Sequence, residues 1–206
     1  MEKTMIFDFW LSNQNILQVF DWQSVFNNSN PVEIDLGAGD GGFILAEAAR
    51  RPEINFVAVE RLLGRARKIA KRAVRENKQN VRVLRLESHY FLKWMCLPAS
   101  IQAIHILFPD PWPKRKHHPR RLIQPDFIQS AHQALQPGGI ARFTTDHADY
   151  FAWTCRLWNQ AEGWEILGEW DASQEPLSDF QKDFLNEGRL IYRASWKKSG
   201  SLDKSS

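Results

Sequence analysis

The sequence predicts an α/β protein: an open, doubly wound sheet of about seven strands, mostly parallel, with helices on both faces and an antiparallel hairpin at one edge. Three observations predict it. From Pro31 onward, short apolar runs alternate with amphipathic segments, the rhythm of βα units. IQAIHILF, residues 101–108, is apolar almost without a break, as a central parallel strand covered on both faces requires. The glycine-rich IDLGAGDGG, residues 34–42, runs from an apolar stretch straight into a tight turn.

Taken in order, residues 1–30 are rich in aromatics (Phe7, Phe9, Trp10, Phe20, Trp22, Phe26) without a sustained period, and read as a cap with a short helix over 13–20. PVEIDLG is the first strand and GGFILAEAARR its helix. INFVAVE is the second strand, followed by a long helix over 61–77. There Leu62, Ala66, Ile69 and Ala73 share an apolar face, and Arg65, Lys68, Arg72 and Arg75 form a basic row beside it. VRVLRLE is strand three and HYFLKWM a short helix ending before Pro98. After strand four comes helix IQPDFIQSAHQAL, stopped by Pro137-Gly138-Gly139. GIARFTTD is strand five, ADYFAWTCRLWNQA a helix, and WEILGEW strand six. A polar loop, one further helix and the strand RLIYRASWKK complete a domain over 31–198, with a polar tail over 199–206 expected to be disordered.

The 206 residues, 43% of them hydrophobic, suffice for one domain with a sizeable core. No apolar run is long enough to cross a membrane, and the start MEKTMIFDFW lacks the pattern of a signal peptide. Only Cys96 and Cys155 are present; both read as buried helix residues in a reducing, cytoplasmic setting. Net charge is +3, but it is segregated: residues 61–78 hold eight Lys/Arg against Glu76 alone, and residues 114–121 add five more. Such clustering attracts polyanions, or is simply a solvated face. His117 and His118 lack partners at metal-ligand spacing, so no metal site is expected.

Gly37, Gly39 and Gly42 fit the dinucleotide spacing G-x-G-x-x-G, and Glu60 stands about twenty residues on, where a carboxylate meets ribose hydroxyls. That pattern alone admits a nicotinamide cofactor. Asp35 before the turn and Asp40 within it favour a cationic ligand, S-adenosyl-L-methionine, over a pyrophosphate. Glu87, ending strand three, is placed for an adenine amino group. After strand four, Pro109-Asp110-Pro111-Trp112 holds a carboxylate between two prolines at the carboxyl edge of the sheet, where open α/β sheets bind ligands. Trp112 offers a face for a base, and Lys114, Arg115, Lys116, Arg120 and Arg121 offer charge for phosphates. Asp146 ends the neighbouring strand.

IDLGAGDGG, FVAVE, ILFPDPWPKRKHHPRR and RFTTD, in this order, resemble the bacterial tRNA (guanine-N7-)-methyltransferase family, from about Asp21 to Lys197. The resemblance implies a Rossmann-like methyltransferase sheet of seven strands and methylation of guanine 46 in the tRNA variable loop. S-adenosyl-L-methionine is the implied donor and tRNA the implied partner; a monomer and a two-fold dimer both fit. Residue by residue, it implies cofactor binding by Asp35, by the turn at Gly37 and Gly39, by Glu60, and by Glu87 where the family has Asp or Asn. Asp110 matches the aspartate placed beside cofactor and target, and Lys114 and Asp146 match substrate-binding positions. The family's T-x-x-E motif is here Ser178-Asp179-Phe180-Gln181, so Ser178 and Gln181 take the substrate-binding positions while Gln181 lacks the negative charge. The rivals are an amino-group methyltransferase, which carries a second proline where this chain has Trp112, a nicotinamide oxidoreductase, for which no hydride-transfer acid or base stands near the cleft, and a non-enzymatic nucleic-acid-binding domain, which the Gln181 departure favours.

Overall fold

A computed structural model of the chain describes residues 9–11, 19–173 and 175–199. Its elements are α1 (Trp22–Phe26), β1 (Val32–Leu36), α2 (Gly42–Arg50), β2 (Asn55–Val59), α3 (Leu63–Arg75), β3 (Val81–Leu84), α4 (Ser88–Trp94) and β4 (Ile101–Leu107). A 3-10 helix (Arg115–Arg120) follows, then α5 (Pro125–Ala134), β5 (Leu135–Thr145), α6 (Ala148–Asn159), β6 (Trp164–Gly168), α7 (Asp179–Asn186) and β7 (Tyr192–Lys198).

The strands form one sheet in the order β3-β2-β1-β4-β5-β7-β6. β1 to β5 are parallel, and β7 enters antiparallel between β5 and β6. The expected doubly wound sheet is present, with its antiparallel edge. Two apolar layers cover it. Phe43, Ile44, Ala66, Ile69 and Ala73 from α2 and α3 fill one face; Phe91, Phe127, Ile128, Tyr150 and Trp158 from α4, α5 and α6 fill the other. Trp158 stacks on Trp196 of β7, with centroids 4.6 Å apart, and fastens the edge hairpin to α6. Because the chain leaves β1 towards β3 and then returns to build outwards from β4, the strand order reverses between β1 and β4. A crevice opens there at the carboxyl ends.

Three expectations are corrected. The long helix spans Leu63–Arg75, and Leu62 before it is 48% exposed instead of sharing the buried face. Strand five begins at Leu135, so Pro137-Gly138-Gly139 lies inside it, opposite a register shift between Ile101 and Ala103. A Cβ at Gly139 would sit within 2.9–3.1 Å of the carbonyl oxygens of Gln136, Gln102 and Ile101, so the chains meet too closely there for any side chain. Cys96 lies beyond its helix, bridged to Phe20. The helix expected over 13–20 falls largely on residues 12–18, and the tail on 200–206, outside the described residues; α1, which was not anticipated, buries Trp22 and Phe26.

His105 interrupts the apolar run of β4 for a local reason. Its Nε2 lies 2.8 Å from the buried Glu33 carboxylate, which also accepts from Arg51 at 2.6 and 2.7 Å. Burial opposes the charge on Glu33, but the hydrogen bonds from His105 and Arg51 outweigh it and hold that carboxyl well below the usual range. A buried carboxylate is tolerated here because every side of it is paired.

Candidate active site

Between β1 and α2 the backbone takes positive φ at Gly37, Gly39 and Gly41. The sequence spacing singles out Gly42, but Gly42 is already the first helical residue. Gly41 makes the turn possible: at φ 79°, a Cβ there would stand 2.9 Å from Ile69 Cγ1 of α3. Gly41→Ala is therefore expected to lower stability by roughly 1–3 kcal/mol, read from the midpoint of denaturant unfolding.

Glu60 fastens this turn from the end of β2. Its Oε2 accepts from Gly39 N at 2.9 Å and its Oε1 from Leu62 N at 2.7 Å. Each oxygen keeps a further lone pair for a ribose hydroxyl. Asp40 borders the pocket at the turn and is met from α3: Lys68 Nζ lies 2.6 Å from its carboxylate, Arg65 Nε 3.9 Å away, and Arg72 donates to its carbonyl at 3.0 Å. Its charge is thus largely answered by α3, and the repulsion expected against a pyrophosphate is weaker than the sequence implied.

Asp35 behaves differently. It is 2% exposed, and its Oδ1 has no hydrogen-bond partner among the described residues. Burial, and then the neighbouring Glu60, push its carboxyl up to about 7. It faces a pocket of about 150 Å³ whose walls include Gly37, Gly39, Phe43, Ser178 and Phe180. This pocket runs into a larger open cleft of about 610 Å³, lined by Glu60, Glu87, Asp110, Trp112 and Arg120. Gly37, Arg65, Leu107 and Phe180 border both.

The loop carrying Asp110 is held in an unusual shape. Phe108 and Trp112 both adopt left-handed φ, 51° and 42°, which side chains other than glycine rarely take. The arrangement is anchored at each end. Phe108 N donates to Thr144 O at 2.8 Å, continuing the β4–β5 ladder, and Arg121 Nε donates to Pro111 O at 2.9 Å. Asp110 itself is exposed on the cleft, with no side-chain partner among the described residues.

The basic run divides. Lys114, Arg115 and Arg120 are exposed. Arg121, expected to hold phosphate, is instead a buried clamp: its side chain is fully covered, pairs with Asp149, and lies over Tyr150 and Trp153. Arg120 lies over Trp112 at 5.1 Å and His117 meets its edge, so one face of the expected stacking platform is already covered by a cation.

Four other residues have partners that the sequence did not show. Glu87 caps α4, accepting from His89 N and Tyr90 N at 3.0 and 2.7 Å, while also bordering the cleft. Asp146 pairs with Arg189 at 2.8 Å and is not among the residues lining the pocket or cleft. Ser178 caps α7 through its Oγ, which accepts from Gln181 N at 3.1 Å. The Gln181 side chain lies in a groove with Trp170, Glu175 and Arg193 and not among the residues lining the pocket beside Asp35. A helix places residues three apart on one face and the intervening one elsewhere, so Phe180 and Asp183 take the inward side.

Phe180 was missed by sequence reasoning. Its Cε2 lies 3.5 Å from where a Cβ of Gly39 would be, and the Arg65 guanidinium sits 5.5 Å from its ring. It thereby roofs the join between pocket and cleft. Only its place near one further helix was legible, because what it covers is distant in sequence.

Residues 29–194 match a family described as a putative methyltransferase. A tRNA (guanine-N(7)-)-methyltransferase of Syntrophotalea carbinolica is 35% identical over 189 residues, covering 89% of this chain and 81% of that protein. One of Geobacter metallireducens is 33% identical over 196 residues, covering 93% of each. Among solved structures, the 16S rRNA methyltransferase KamB superposes with a TM-score of 0.65 at 15% identity, covering 92% of this chain and 98% of that one. The antibiotic-resistance methyltransferase Kmr gives 0.61 at 16%, covering 88% and 92%. At such identities these two structures bear on the fold alone.

Proposed function

From the premise that the chain belongs to the tRNA (guanine-N7-)-methyltransferase family, we propose that it transfers a methyl group from S-adenosyl-L-methionine to N7 of guanine 46 in the tRNA variable loop, by direct in-line transfer. The observation that carries this reading is a small pocket ending on a buried, unpartnered carboxylate and opening into a cleft that exposes a second one.

The residues present fit the donor. Asp35 Oδ1 is an orphaned acceptor suited to an ammonium group, the Gly37–Gly39 backbone leaves room for close approach, and Glu60 and Glu87 retain lone pairs facing the cleft. When bound, this group supplies an electrophilic methyl on a positively charged sulfur.

The remaining work falls to the chain. Guanine N7 carries an available lone pair, so no side chain need remove a proton first. Asp110 orients the base and offsets the positive charge that moves onto it, from a loop whose strained backbone limits its motion. Phe180 covers the junction and keeps water from it. Lys114, Arg115 and Arg120 hold phosphates around the target. The position within tRNA follows from the family resemblance.

Incubating the protein with unmodified tRNA and methyl-labelled donor, then resolving the nucleosides, tests the reading. Label is expected in 7-methylguanosine, and a transcript with adenine at position 46 should accept almost none. Label in methyladenosine, or donor binding without transfer, would contradict it.

A further inference from the structure

The basic helix α3 carries two rows of charge with different fates. The row picked out by sequence is already engaged: Arg65 and Lys68 face Asp40, Arg72 reaches Asp40 and Glu76, and Arg75 reaches Glu76. A second row, Arg61, Arg67, Lys71 and Lys78, has no ion pair or side-chain hydrogen bond among the described residues. Arg61, Arg67 and Lys71 are exposed, and Arg61 borders the cleft. Arg61 thus stands at the mouth of the site just before the helix, Arg67 and Lys71 lie on its outer side, and Lys78 lies beyond the end of its 13 residues. The helix is about 20 Å long, and Arg67 and Lys71, one turn apart, stand about 6 Å from each other along its axis.

Two further features say what this surface suits. Gly64 stands exposed between Arg61 and Arg67 with open space where a Cβ would be, despite the cost of glycine in a helix, so a partner can approach the backbone closely. No aromatic side chain lies within α3, so the surface offers nothing on which unpaired bases would stack. The opposite helical layer carries no comparable stripe; Lys93 and Arg156 are its isolated counterparts on α4 and α6.

We propose that the outer row of α3 is a second RNA-contact surface, holding the phosphate backbone of a double-helical arm beside the loop that enters the cleft. The proposal rests on the functional reading above and adds to it a partner for charge that the catalytic loop does not use. Contacts of this kind position an RNA without reading its sequence.

The test compares Arg67→Ala/Lys71→Ala with the parent and with Lys93→Ala/Arg156→Ala, which removes equal charge from the other face of the sheet. Filter binding of intact tRNA across a salt series measures affinity directly, whether or not methyl transfer occurs. The α3 variant is expected to bind tRNA about tenfold more weakly near 0.15 M salt, with a logarithmic salt slope smaller by roughly 2. Donor affinity and thermal midpoint should match the parent, and a short single-stranded oligonucleotide spanning the target guanine should bind both alike. Parental tRNA affinity and slope in the α3 variant, an equal loss in the control variant, or an equal loss with the oligonucleotide would each overturn the proposal. A parent that binds tRNA but transfers no methyl group to guanine would instead overturn the functional reading, leaving the binding comparison intact.

Discussion

Replacing Asp110 with alanine is expected to lower the turnover of tRNA methylation by about 100-fold while leaving donor affinity within a factor of about three. The asymmetry follows from position. Asp110 projects into the open cleft from an exposed loop, whereas the pocket ending on Asp35 lies deeper and is walled by other residues. Since the side chain is exposed, the variant should fold with the parent's thermal midpoint, so the loss is not one of stability. Asp110→Asn separates orientation from charge: an amide keeps the shape and an acceptor oxygen but not the negative charge. Recovery of most of the rate in Asp110→Asn would assign the residue to orienting the base; no recovery would assign it to offsetting charge. Parental turnover in Asp110→Ala, measured under donor saturation, would remove Asp110 from the mechanism.

The second large effect concerns Asp35, whose carboxyl is pushed up to about 7 by burial and by Glu60. A cationic ligand needs the charged form, so below pH 7 donor binding must expel a proton. Affinity is then expected to rise about tenfold from pH 6 to pH 8, with proton release seen calorimetrically in buffers of different ionisation enthalpy. Asp35→Asn should abolish that pH dependence and weaken binding at pH 8. The free protein should show the opposite trend. Between its unfolded value near 4 and its folded value near 7, the folded state retains the Asp35 proton that the unfolded chain has lost. This contribution to stability is therefore full below pH 4 and lost as pH rises through 7. At pH 8, Asp35→Asn should unfold at higher denaturant than the parent while binding donor less well, a residue kept for function at the expense of the fold. A pH-independent donor affinity would contradict the role given to Asp35.

The sheet was legible because its signals are local. Apolar runs such as IQAIHILF and glycine breaks such as IDLGAGDGG depend on residues a few positions apart. What escaped depends on distant pairings. Gly139 belongs inside a strand because the carbonyls of Ile101 and Gln102 press against it. Arg121 reads as one more cation in a basic run until Tyr150, Trp153 and Asp149 close over it. Similarly, the row of α3 nearest the turn looks solvent-facing in sequence, but Asp40 comes back from the glycine turn to meet it. The site divides in the same way. Asp35, Glu60 and Asp110 stand at strand ends or the turns after them, and alternation alone brings those ends to one edge. Phe180 and Gln181 arrive on a short helix whose docking angle nothing local specifies, so which of them borders the pocket beside Asp35 was open until the helix was placed.

The most direct test of the account is a crystal structure of the complex with S-adenosylhomocysteine, the donor lacking its methyl group. The account predicts the amino group of that ligand within hydrogen-bond distance of Asp35, the ribose beside Glu60, and the sulfur turned towards the cleft where Asp110 stands. Density for the ligand outside this pocket, or Asp110 turned into the protein away from the sulfur, would contradict it.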